Sequence, residues 1–151
     1  MKVTVYLRKD HETVRSLFEE YKKLAGKTQN GRKEAFAEIQ REISLHSQME
    51  TEIFYPALQN TASVRAQELV AKALEEHRGV DSLLDELSAM NGNEKQFDSK
   101  MSELMDSINA HIDNEEEEIF DEARKNLPEF RLEELGLEME DRRRILTQLA
   151  A

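Results

Sequence analysis

Cysteine is absent from the 151 residues, and so is tryptophan. The first absence excludes disulfides, thiolate metal sites, iron–sulfur clusters and thiol catalysis, while leaving the compartment open. Glycine and proline are scarce, at five and two residues, and no glycine-rich phosphate loop is present. No apolar run approaches the roughly 20 residues that cross a bilayer. The N-terminal MKVTVYLRKDHE has neither a long apolar stretch nor a small-residue cleavage site. The expectation is a soluble, cytoplasmic protein with no membrane partner. Positive charge is also in short supply: 21 Lys and Arg stand against 32 Asp and Glu, a formal net charge of -11. Nucleic acid and anionic lipid would be repelled, and cations are the more natural guests.

What the chain does contain is charge and helix formers. Charged residues make up 35% of it, with Ala, Leu, Glu, Lys and Arg abundant, which is the composition of an amphipathic all-α protein of one domain. Turn-rich clusters at Gly26 to Gly31, Asn60 to Ser63 and Asn91 to Asn93, with Pro128 after the last long periodic segment, cut it into four long helices. Apolar residues recur at three-and-four spacing within each: Leu7, Val14 and Phe18 in the first, Phe36, Ile39 and Ile43 in the second, Val70, Leu74 and Val80 in the third, Phe97, Met101 and Leu104 in the fourth. Short connections between long helices predict an up-down-up-down four-helix bundle over residues 1–127. Residues 128–151, carrying Leu132, Leu135, Met139, Leu146 and Leu149, are expected to pack across it as a shorter fifth helix.

Each long helix carries one histidine: His11, His46, His77 and His111. Residues equidistant from the turn of an antiparallel hairpin lie at the same height, because every residue advances the axis equally. The midpoint of His11 and His46 falls within GKTQNG, that of His46 and His77 within NTAS, and that of His77 and His111 one residue past NGN. All four therefore share one layer, and each interrupts an apolar seam. Glu50 and Glu115, in HSQME and HIDNE, follow inward histidines by four residues and so share their helix faces. Burying four imidazoles and two carboxylates uncompensated would cost several kcal/mol per group, against a total stability of about 5–15 kcal/mol. A metal centre compensates them. Six donors from four helices suit two ions with shared carboxylates, and imidazole with carboxylate suits iron first, then manganese or zinc.

The remaining acids and tyrosines are weighed by phase. In the run Glu115 to Glu118, Glu118 is placed to stand behind the ligands, while Glu116 and Glu117 are expected to face water. Asp81, four after His77 at the flank of its stripe, is balanced between the site and the surface. Tyr6, Tyr21 and Tyr55 are read as packing residues.

The order His, His-x-x-x-Glu, His, His-x-x-x-Glu, with the flanking words EIFYPAL and EEEEIFDEA, resembles the hemerythrin-like (HHE cation-binding) family over about residues 5 to 125. The resemblance implies an up-down bundle holding a non-haem di-iron centre with a bridging oxo or hydroxo group. His11 and His46 would serve one iron, His77 and His111 the other, and Glu50 and Glu115 both. The chain departs from the family's oxygen carriers in having Asp81 where they have a further histidine, and in Glu115 following its histidine by four where they commonly have Asp by five. It is similar instead to four-histidine, two-glutamate bacterial hemerythrin-like proteins and to regulatory iron-sensing domains. Ferritin-like carboxylate proteins are a poor match, because Arg8, Ile43, Leu74 and Ile108 stand where their glutamates would precede each histidine. The expected function is binding or sensing of O2, nitric oxide or iron availability through a small diatomic or peroxide ligand. Alternatives are an enzyme decomposing hydrogen peroxide or nitric oxide, and a metal-stabilised interaction or iron-handling protein. A homodimer through the C-terminal helix and an unknown protein partner are left open.

Overall fold

In a computed structural model of the protein, residues 1–24, 29–92 and 95–150 are described. The elements are α1 (Val3–Leu24), α2 (Gln29–Met49), a π turn (Glu50–Phe54), α3 (Tyr55–Gln59), α4 (Val64–Ser88), α5 (Lys95–Asn114), a second π turn (Glu115–Ile119), α6 (Phe120–Asn126) and α7 (Glu129–Ala150). With their π turns, α2–α3 and α5–α6 are continuous rods, so four rods form the all-α up-down bundle and α7 is the fifth. At 22 residues α7 equals α1 and is shorter than the 25 of α4.

Local chemistry sets the boundaries. Ser63 caps α4, its hydroxyl accepting from the Ala66 amide at 3.0 Å, as expected of the NTAS cluster. Within the expected GKTQNG turn, α2 already begins at Gln29; residues 25–28, and Asn93 of the NGN cluster, lie outside the described residues. Pro56 cannot donate to a helical ladder, and it sits just past a π turn where that ladder is already widened.

The apolar seams close into two separate buried clusters. One gathers Phe18, Tyr21, Ile39, Leu84, Phe97 and Met101 at the loop end of the first hairpin, and the other gathers Leu7, Phe54, Leu58, Val70, Phe120 and Met139 at the opposite end. The histidine layer lies between them. α7 packs on α1 and α2 and buries Leu132, Leu135 and Met139 in the second cluster. The expected packing of α7 stops short of its end: Leu146 is partly buried, and Leu149 is 76% exposed in the last turn.

Gly136 permits this docking. A Cβ there would meet the Met1 carbonyl oxygen at 1.9 Å, a backbone atom next to Lys2, whose own carbonyl accepts the first amides of α1. Gly136→Ala should therefore destabilise by about 1–3 kcal/mol, although alanine is the better helix former. A denaturant midpoint at or above that of the parent chain would contradict this close approach.

Candidate metal centre

His11 on α1, His46 on α2, His77 on α4 and His111 on α5 turn their Nε2 atoms towards Glu50 and Glu115, between the two apolar clusters. The rings form two pairs, with centroids 4.9 Å apart for His11 and His46 and 4.8 Å apart for His77 and His111. Glu50 and Glu115, each the first residue of a π turn, are fully buried between them. His46 and His77 each approach Glu50 Oε1 at 3.2 Å, while His11 Nε2 lies 3.1 Å from Glu115 Oε1 and His111 Nε2 lies 3.5 Å from Glu115 Oε2. His77 Nε2 is also 3.2 Å from His111 Nε2.

These donors fall into two overlapping groups, His11–His46–Glu50–Glu115 and Glu50–His77–His111, each with ligand atoms within 4.8 Å of one another. All six residues proposed from the sequence are thus brought together. Asp81 is not among them: α4 runs through it as regular helix, and its side chain is exposed beside His77 on the rim of a surface groove.

The donor atoms themselves test whether a cation fits. His11 Nε2, His46 Nε2, both oxygens of Glu50 and Glu115 Oε1 are buried without a hydrogen-bond partner, since the short contacts above lack hydrogen-bond alignment. Orphaned buried polar atoms are rare and costly, and here five of them converge. Their field asks for positive charge. Burial pulls His111 down, and the contact and charge of Glu115, with the charge of Glu50 and the hydrogen bond of Glu76, more than offset it, raising the imidazole to about 9. Burial pushes Glu115 up, yet its contacts with Glu50, His11 and His111 hold it well below the usual carboxylate range. Imidazole nitrogens and carboxylate oxygens in this number fit two first-row divalent or trivalent ions.

A ring of outer groups orients the inner ones. Asp10 accepts from His46 Nδ1 at 2.8 Å, Glu76 from His111 Nδ1 at 2.9 Å, and Glu116 from His11 Nδ1 at 2.7 Å. Each carboxylate fixes the tautomer that leaves Nε2 free as a ligand and raises its basicity. The expectation for the glutamate run is corrected here. Glu116 stands behind His11, whereas Glu118 pairs with Arg65 at 2.8 Å on the surface, because the π turn places Glu116 towards α1. Glu117 is exposed, as expected.

Tyr55 is also more than packing. Its buried hydroxyl donates to Glu115 Oε2 at 2.5 Å and lies 3.3 Å from His77 Nε2. Burial, then the charges of Glu115 and Glu50, push this phenol well above its ordinary value, so it keeps its proton. On the other side of the layer the four histidines border a cavity of about 20 Å³, walled by Val14, Ile43, Val80, Ile108 and Ile112. That is room for about one water-sized molecule. Ser47 and His77 line both this cavity and a groove of about 390 Å³ between α2 and α4 that opens to solvent. Among the described residues no helix is long and apolar enough to cross a membrane.

Comparison with known proteins agrees with this geometry. The model of the hemerythrin HHE cation-binding domain matches residues 3–123. The chain is similar to the crystal structure of an HHE cation-binding domain-containing protein from Mycobacterium kansasii, with a TM-score of 0.80 and 26% identity over 95% of this chain and 86% of that one. It is 31% identical to a hemerythrin-like protein of Schizosaccharomyces pombe over 58% of this chain and 43% of that protein. It is also 24% identical to a DNA nickase of a Nostoc species over 91% of this chain and 38% of that protein. The chain thus spans less than half the length of these two relatives. Sequence match and fold lead to one lineage: the chain belongs to the hemerythrin HHE cation-binding domain family.

Proposed function

We propose that the layer holds two iron ions, one on His11 and His46 and the other on His77 and His111, with Glu50 and Glu115 shared, and that the centre binds or senses a small ligand of the O2 or nitric oxide class. The observation that carries this reading is the meeting of two features: buried, partnerless donor atoms and a cavity of about 20 Å³ against the same four histidines. When bound, two iron ions supply the open coordination positions and one-electron steps that such ligands require.

The protein's residues do the rest. Aliphatic side chains keep the ligand side of the layer dry and limit it to small molecules. Asp10, Glu76 and Glu116 hold three rings in register. The α2–α4 groove leads solutes to His77 and Ser47, and Asp81 at its rim leaves that side of the site open where the family's oxygen carriers have another histidine. The DNA chemistry of the Nostoc nickase is not carried over, since a chain of net charge -11 repels a phosphate backbone.

A second reading, turnover of hydrogen peroxide or nitric oxide, is favoured by one observation. Tyr55 keeps a proton against Glu115 and beside His77, the histidine that also lines the cavity and the solvent groove, so a proton donor stands next to the centre. Two measurements separate the readings. Protein loaded with Fe2+, reduced without air and then exposed to O2 or nitric oxide, should show a ligand-dependent absorption change; its absence counts against the binding reading. Repeated additions of peroxide should release no sustained O2 if the protein only binds its ligand, and multiple turnovers that fall in Tyr55→Phe establish the enzyme.

A further inference from the structure

Asp10 uses its two carboxylate oxygens in different directions. Oδ2 accepts from His46 Nδ1 at 2.8 Å, while Oδ1 accepts from the Arg143 guanidinium of α7. Arg143 is itself fixed, donating from Nε to the Tyr6 hydroxyl at 2.7 Å and pairing with Glu42 at 3.4 Å. Arg143 lies beyond residues 3–123, the span of the family match. The neighbouring Arg142 offers an internal comparison. It forks onto Glu52 at 2.7 and 3.2 Å, an exposed pair two residues past Glu50 that touches none of the inward donors.

We propose that Arg143 is a positioning residue for the metal centre: through Asp10 it fixes the tautomer and aim of His46, so the docking of α7 sets how tightly the ion on His46 is held. The inference rests on the reading of His46 as a ligand. Asp10 is buried, and a carboxylate that aligns a ligand imidazole is held more firmly in place when its second oxygen is also bonded. A planar guanidinium supplies that hold, because its donors form a rigid fork. All three outer carboxylates lie on bundle rods, but Glu76 and Glu116 bond within the bundle, whereas Asp10 also accepts from a side chain of α7.

The test uses the full chain freed of metal and titrated with Co2+, whose ligand-field absorption reports the site, with a competing chelator to give affinity. Arg143→Met and Asp10→Asn should each weaken the ion on His46 by about 10- to 100-fold. The double variant should be no weaker than either single one, because both changes break one chain of contacts. Arg142→Met should stay within about twofold of the parent, as an exposed pair is worth little. In Zn2+-loaded protein the His46 Nδ1–H proton resonance should move in Arg143→Met and not in Arg142→Met. Equal affinities for Arg143→Met and Arg142→Met, or additive losses on combining Arg143→Met with Asp10→Asn, would overturn the proposal. If Arg143→Met does not fold, Arg143→Lys decides, since it keeps the charge without the fork: partial loss supports the proposal and parental affinity overturns it. A parent chain that takes up no Co2+ removes the metal centre and this inference together, whereas Co2+ uptake indifferent to Arg143 removes the inference alone.

Discussion

Glu50→Leu is expected to leave the protein with almost no metal. Glu50 is fully buried, neither of its oxygens has a hydrogen-bond partner, and Oε1 lies 3.2 Å from a histidine of each pair. Removing it strips a donor from both positions, while His46→Ala strips one from a single position. Elemental analysis should then give about two ions per chain for the parent, about one for His46→Ala and close to none for Glu50→Leu. A Glu50→Leu chain that keeps its metal would remove Glu50 from the centre.

Removing the metal from the parent chain should produce the second large effect. Ions held only by the folded state stabilise it by mass action, about 4 kcal/mol each at a thousandfold excess over the dissociation constant. For a domain of this length each kcal/mol moves the melting temperature by about 2–4 °C. Chelation of two ions should therefore lower it by roughly 15 °C or more, and returning metal should restore it. Circular dichroism melts with and without chelator measure this directly; coincident curves would mean that the donors are compensated without a cation.

The layer was legible because geometry and spacing coincide. One histidine per helix, each equidistant from its turn, can only meet at one height, and Glu50 and Glu115 fall one α-helical turn from their histidines. Tyr55 was hidden by the same rule. Five residues after Glu50 it should point about 140° away on an α-helix. The π turn closes on the fifth residue and brings it back to the same face, where its hydroxyl reaches Glu115. Nothing in ETEIF announces that widening. The outer carboxylates did leave a signal. Asp10 and Glu76 each immediately precede a histidine, and each reaches across its hairpin to the other histidine of the pair. Arg143 was unreadable, since only the docking of α7 brings it to Asp10.

The two hairpins are near copies. Asp10 answers Glu76, His11 answers His77, His46 answers His111, Glu50 answers Glu115, and both glutamates open π turns. At the residue after each π turn the copying fails: one half has Tyr55 with its hydroxyl against Glu115 and His77, and the other has Phe120 stacked on His11 at 6.0 Å. A phenol and a bare ring impose unlike surroundings on otherwise matched coordination shells. Two ions bound there would therefore not be equivalent, and an odd electron added to them would localise rather than be shared evenly.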